Sequence, residues 1–363
     1  TTLRIRLTRP SAGLLLALAA PQATIVSPQT LAAWTRDPDA RPAGTGPFQL
    51  VERQRGVSVT LASNLGYWGV KPGVERLVLR VMPDASARLK ELQAGRADVA
   101  TGLPPSLLPL AEKASGVRLL QVPGLSIAYL GINTQRGPFK KPGVRRAVVL
   151  ALDREAIVRL VYGPHAAPAP TLLPSAVMRH EGLTEPPVPK ADPAQARRML
   201  AREGHPGGLD AVLQVMDIPR VYAPEPQRIA QAVKKSLAAA GIRVSVVTVP
   251  WSGYLRRAGK GEHDLCLAGW TFDSPNAHEF LRYKLGWESA AEGASGNVSL
   301  WRDSRFQALE TQFGASPPGR TRQDLLRQVL AIVEAEAPVV PLAHVRDAIA
   351  VRDGVEGVVM SQA

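Results

Sequence analysis

The chain has 363 residues, 45% hydrophobic and 21% charged, which is ordinary for a soluble globular protein and long enough for two domains with their own cores. No apolar run approaches the roughly 20 residues of a membrane helix, and the lone cysteine, Cys266, excludes an internal disulfide. The formal net charge of +13 is spread along the chain, with isolated basic pairs at 145–146, 197–198 and 256–257. Without an aromatic-rich RNA motif or zinc-finger spacing, that pattern disfavours nucleic acid as a partner and suits a solvated surface near anionic membrane or envelope.

The stretch RPSAGLLLALAAPQATIVSP, residues 9–28, has the outline of a secretory signal. Arg4, Arg6 and Arg9 supply a basic region, GLLLALAA an apolar run and APQA a cleavage-like site. The preceding LRIRLTRP alternates like a strand, which fits a folded domain better than a basic leader, so the alternative is an internal segment with GLLLALAAP as a short buried helix. Three β-type runs follow, FQLVERQ, VSVTLASN and ERLVLRVM. Gly44–Thr45–Gly46 before the first of them reads as a tight turn, with a phosphate loop as the weaker alternative.

In SARLKELQAGRADVA, Leu89 and Leu92 share a helical face that breaks at Gly95. The next segment, GVRRAVVLALDREAIVRLVYG, carries an apolar stripe of Val144, Ala147, Val148, Ala151 and Leu152. Asp153 then caps a second helix, which Gly163 and Pro164 end. Residues 164–193 are Pro-rich and aperiodic, predicting a long surface connection. A helix capped by Asp192 and stopped at Gly204, a strand AVLQVMD, a helix ended by Gly241 and a strand RVSVVTVPW then give a β-α-β rhythm. That rhythm predicts an α/β fold with some parallel pairing.

Catalytic templates fail. There is no G-x-S-x-G, P-loop, G-x-G-x-x-G or H-E-x-x-H, and the six histidines (165, 180, 205, 263, 278 and 344) never reach metal-ligand spacing. An enzyme is therefore disfavoured. The informative segment is HDLCLAGWTFDSPNAHEFL, residues 263–281. LCLAGW predicts a buried strand ending in a loop with Trp270 and Asp273, and a helix begins after Asn276. A Trp and a carboxylate at the carboxyl end of an α/β strand lie where ligands bind. Equally, Asp273 is a turn cap and Trp270 core filling on position alone.

Several pieces in fixed order between Gly44 and His344 resemble the bacterial solute-binding proteins of peptide and nickel ABC transporters. They are GTGPFQL, NLGYWG, VMPDASARLKELQAGRADVATGLPP, YLGINTQRGPFKKPGVRRAVVLALDREAIVRLVYG, LLPSAV, DPAQARRMLAREGHPGG, LAAAGIRVSVVTVPWSGYLRRAGKGEHDLCLAGWTFD and EAPVVPLAH. The resemblance implies an α/β, two-lobed periplasmic-binding-protein fold with hinged lobes, mixed sheets and the remnant of a small accessory domain. Residues 1–42 would be that remnant, 43–132 with 340–363 an incomplete first lobe, and 133–339 the second. It also implies the internal reading of residues 1–28, inside a lobe with GLLLALAAP as a short buried helix and about a third of a typical member, signal included, upstream, and makes the C-terminal VRDGVEGVVMSQA look short. The first lobe would then expose apolar surface.

The implied function is the substrate-binding component of an importer that captures peptides or similar solutes and passes them to a membrane permease. No cofactor, metal residue, catalytic residue or nucleic acid is implied. The location would be periplasmic or at the cell surface, held there through the transporter or a lipid anchor outside this chain. The family's GW-x-x-D motif matches Gly269, Trp270 and Asp273, which makes Asp273 the expected ligand for a peptide ammonium and Trp270 a pocket wall. Asn297, Trp301, Tyr129, Asn133 and Tyr254 are further rim candidates, each with a core or hinge role as the alternative. No arginine is assigned to a ligand carboxylate, and Arg282 reads as a surface residue. Binding of nickel chelates or other cationic small molecules, a ligand-sensing regulatory module and an enzyme on the same fold stay open as alternatives.

Overall fold

The structure is a computed structural model that describes residues 2–8, 10–37, 39–291 and 296–360. Arg9 and the last three residues of VRDGVEGVVMSQA, used in the readings above, lie outside the described residues. Two short helices, α1 (Leu14–Ala19) and α2 (Pro28–Arg36), precede a three-stranded antiparallel sheet of β1 (Phe48–Gln54), β2 (Ser58–Ser63) and β3 (Arg76–Arg80). Next come α3 (Ala85–Gln93), β4 (Val99–Thr101), α4 (Leu108–Lys113), the long β5 (Val117–Ile132), α5 (Pro142–Ala151), α6 (Arg154–Val161), β6 (Ala166–Pro168), α7 (Ser175–His180) and α8 (Pro193–Arg202). The chain continues through β7 (Leu209–Met216), α9 (Pro226–Ala239), β8 (Ile242–Val249), α10 (Trp251–Gly259), β9 (Leu265–Thr271), α11 (Ala277–Leu285), α12 (Ser304–Ala315), α13 (Arg320–Glu336) and β10 (Val339–Arg352).

Carboxylate and amide caps set the helix starts. Asp84, Asp153, Asp192 and Asn276 accept the N–H groups of Ala87, Ala156, Gln195 and Glu279, satisfying donors that have no partner inside the helix. Three of these caps were expected from the sequence. The seven-stranded sheet runs β4-β10-β5-β9-β7-β8, with β6 on the β4 side of β10. Strands β7, β8 and β9 pair in parallel, as the β-α-β rhythm predicts, and β5 pairs antiparallel with both β9 and β10.

The β5–β10 ladder is interrupted where Val345 faces Ser126 but Arg346 faces Pro123, leaving Gly124 and Leu125 unpaired in a bulge. A Cβ on Gly124 would lie 2.5 Å from the Val345 carbonyl, so the close approach requires glycine. One large core packs α5, α6, α8 and α9 on the sheet, and a second gathers α7, α11, α12 and α13 on its other side. A smaller third core joins α3, β4 and α4 to Val117 and Ala350, beyond the bulge.

The structure departs from the sequence reading in three places. Residues 2–7 form no strand and are exposed: no described strand pairs with them, and alternation alone does not hold an isolated segment extended. The GLLLALAAP stretch is helical as expected, yet none of α1 is buried, so it is not a core helix. The Pro-rich span 164–193 is no loose connection: Ala169, Leu172, Leu173, Val177 and Met178 are buried in the second core, β6 adds to the sheet and α7 forms within it. Its prolines disrupt periodicity without removing the apolar residues that pack.

The three-stranded sheet has no buried residue of its own, and Leu77, Val78 and Leu79 of its last strand are exposed, as is Val81 just after it. Among the described residues no helix is long and apolar enough to cross a membrane.

Candidate functional site

A cleft of about 760 Å³ opens at the carboxyl end of β9, within the size range of small-ligand sites. One wall comes from the turn after β4, Gly102–Pro105, and from Arg346–Ile349 of β10, immediately past the bulge. The facing wall comes from the loop after β7, the start of α10, the end of β9 and the last turn of α11.

The loop after β7 is tied down before any ligand arrives. Arg220 and Ala223 exchange backbone hydrogen bonds at 2.9 and 3.0 Å, and the Tyr162 hydroxyl donates to the Tyr222 carbonyl at 2.6 Å. Gly269 lets the Tyr222 ring lie on β9, since a Cβ there would come within 2.2 Å of that ring. Asp217 accepts the Trp251 N–H at 2.9 Å and fixes the start of α10, while the Arg220 guanidinium stacks 3.5 Å from the Trp251 ring centre. Beneath them Tyr254 is fully buried, its hydroxyl within reach of the Leu267 and Gln214 carbonyls, which ties α10 to β7 and β9.

The α11 side carries Lys284. The residue is 9% exposed, and its ammonium sits 4.2 Å from the Trp270 ring centre and 4.7 Å from that of Tyr283. The two rings pack against each other at 5.2 Å. Burial lowers the Lys284 ammonium to about 8. Across the cleft Asp347 accepts a hydrogen bond from the Leu125 N–H, and partial burial still raises its carboxyl above the ordinary range. His165, also buried in the lining, has Nδ1 2.9 Å from the Gln121 side-chain nitrogen, while its Nε2 has no partner. Burial holds its pKa down.

The family model for bacterial extracellular solute-binding proteins, family 5 (middle region), matches residues 1–291. The chain belongs to that family. It is 30% identical to the dipeptide-binding protein of Escherichia coli over 99% of its own length and 67% of the relative's. It is 31% identical to heme-binding protein A of Haemophilus influenzae over 84% of its length and 55% of that protein's. The solved structure of HbpA2 from Haemophilus parasuis superposes with a TM-score of 0.87 at 28% identity, covering 99% of this chain and 71% of that one. A periplasmic binding protein of Helicobacter pylori, solved in complex with the peptide STSA, gives 0.78 at 25% identity, covering 96% and 68%. The architecture is thus that of the two-lobed periplasmic binding proteins, in a family of binding and transport proteins. The chain spans only part of each relative, little more than half in the heme-binding case.

Within this family member, Trp270 stands in the cleft wall, on the last residues of β9 and not in the loop beyond. Asp273 is exposed just past it and accepts a hydrogen bond from Gln22 at 3.3 Å; it is not part of the cleft lining. The other five candidates are buried. Asn297 donates to the Trp301 carbonyl at 3.0 Å and accepts from Ser299 at 2.9 Å, and Trp301 packs on Phe306. Asn133 donates to the Gly261 and His263 carbonyls, and Tyr129 lies in the second core facing Ala268 of β9. These bonds make Asn133, Asn297 and Tyr254 staples of the body that carries the cleft. Arg282 is a surface residue paired with Glu288 at 2.8 Å.

The sequence reading did not single out Lys284, Arg220, Trp251, Tyr222, Asp347 or His165. Lys284 left a signal: it stands four residues after Phe280 and three after Leu281, on the helical face that is otherwise apolar. Asp347 left none, because strand pairing alone brings it to the cleft.

Proposed function

We propose that this chain captures peptides or similar small solutes in the cleft and serves as the ligand-holding part of a bacterial ABC importer's substrate-binding component. It delivers its cargo to a membrane permease from the periplasm or outer cell surface, and it breaks no bond in the ligand. The observation that carries the reading is the 760 Å³ aromatic cleft at the end of β9, with Trp270 of the family's GW-x-x-D motif in its wall. The names of the peptide-binding relatives support it.

The same reading divides the chain into lobes, 43–132 with 340–363 against 133–339, following an accessory remnant at 1–42. On that division the chain leaves the first lobe at the end of β5 and returns to it at the start of β10. Asp273 is the proposed partner of a peptide ammonium: its carboxylate lies three residues past Trp270, and exchanging Gln22 for a ligand ammonium would give it a charge-assisted bond. Native mass spectrometry of the purified chain, followed by denaturing release, tests the function. A ladder of small peptide masses is expected, and a ligand population without peptides would overturn the reading. For Asp273→Asn, a loss of affinity under about threefold, well short of the 1.4 kcal/mol of a tenfold change, would remove Asp273 from the site.

A further inference from the structure

The cleft lining holds three cations, Arg220, Lys284 and Arg346, and one carboxylate, Asp347. None of the four forms an ion pair among the described residues. Surface cations are often unpaired without consequence, but Lys284 is nine-tenths buried, makes contact with two aromatic faces and meets no carboxylate. A buried charge without a counter-ion is costly, and a ligand anion in the cleft would supply one. His165 adds a donor of the same sense. With its Nδ1 facing the Gln121 amide nitrogen and accepting from it, the proton of the neutral ring resides on the unpartnered Nε2.

We infer that the cleft selects solutes of net negative charge, acidic peptides among them, and that Lys284 is the subsite for a ligand carboxylate. The inference rests on the cleft being the solute site and adds the class of solute and the residue that reads it. The Trp270 and Tyr283 rings hold the ammonium in place while leaving its hydrogen-bonding capacity free, since a ring face offers a cation no lone pair. With Asp347 as its one carboxylate against three cations, the lining stays net positive, so a molecule carrying more carboxylates than ammoniums matches it better than a neutral zwitterion does.

The test is calorimetric titration of ligand-stripped protein with Ala-Glu, Ala-Ala, Ala-Lys and the non-peptide dicarboxylate glutarate. Ala-Glu is expected to bind roughly tenfold or more tighter than Ala-Ala, with Ala-Lys weakest. Lys284→Met should abolish that advantage while Lys284→Arg keeps most of it, on the scale of a hydrogen bond to a charged group. Glutarate binding that is lost in Lys284→Met would uphold the carboxylate subsite even where the peptides fail, and would then count against the peptide reading alone. Equal affinity for the three peptides, or an unchanged preference in Lys284→Met, would overturn the inference while leaving peptide binding intact. Binding of none of the four probes would overturn both. Should Lys284→Met fail to fold, Lys284→Gln and the wild-type preference among the four probes carry the same decision.

Discussion

Replacing Lys284 by methionine exchanges a buried cation for an unbranched apolar chain that fills the same gap between Trp270 and Tyr283. The ammonium titrates at 10.5 when exposed and at about 8 in the fold, so burying the charged form costs roughly 3 kcal/mol. The two rings offset part of that, since a desolvated cation–π contact is worth up to about 2 kcal/mol. Sulfur–aromatic contacts return a similar though smaller amount to the variant, about 0.3–1.5 kcal/mol. The ligand-free variant is therefore expected to be more stable than the parent at pH 7, by roughly 1–3 kcal/mol.

The pH dependence separates this from a generic packing effect. Below pH 8 Lys284 is protonated in the folded and the unfolded chain alike, and the burial cost is present in full. Between about 8 and 10.5 the folded chain releases its proton first, so the parent gains stability with rising pH and the variant's advantage shrinks. The groups around the ammonium are shared by both proteins and cancel in the difference: Cys266, whose thiol burial pushes up to about 12, Tyr283 on the same helix, and Arg220, Arg346 and Asp347 around the cleft. Urea midpoints of both proteins at steps from pH 7 to 10.5 provide the measurement. A variant less stable than the parent at pH 7, or a gap that stays constant with pH, would refute the reasoning.

Two further effects follow from buried polar groups. Tyr254→Phe leaves the Leu267 and Gln214 carbonyls without their hydroxyl and is expected to cost about 1–3 kcal/mol, seen as a lower urea midpoint at unchanged slope; an unmoved midpoint would show the hydroxyl to be idle. His263, buried with Nε2 at 2.9 Å from the Val298 carbonyl, is lowered to about 4 from 6.5. The unfolded chain takes up that proton first, so the stability His263 lends is present above pH 6.5 and is lost as pH falls through about 4, up to roughly 3 kcal/mol. His263→Gln should flatten that window in urea midpoints taken at pH 7, 5.5 and 4, and a parent equally stable at all three would sink the assignment.

Much of the α/β body was legible because its signals are local. Asp153, Asp192 and Asn276 cap the helices they announce, and apolar runs around Leu213 and Leu267 become buried strands. The failures share a different cause. Residues 3–7 have a strand's alternation, but pairing is a property of the neighbour and not of the segment. Leu172, Leu173 and Met178 lie among prolines that erase periodicity, yet tertiary contacts bury them. At the site Trp270 was readable from its place at the end of a strand, whereas the seven candidates taken together mixed a cleft wall with residues that hold the body together.

The net charge of +13 is a poor guide to the ligand, because most of it sits on solvated surface where counter-ions screen it. What bears on recognition is the small set of charges taken out of water. Lys284 is fixed by helix phase, since Asn276 starts α11 and the turn containing Phe280 and Leu281 faces inward, so a cation at 284 must share that face. Asp347 is fixed by a long-range ladder, in which Gly124 lets β5 approach β10 at the bulge and carry residues 346–349 round to the opposite wall. One wall is thus set by an interval of a few residues and the other by pairing across more than two hundred. A ligand lying between Lys284 and Asp347 would sit across the bulge in that ladder, joining a wall set by helix phase to one set by strand pairing.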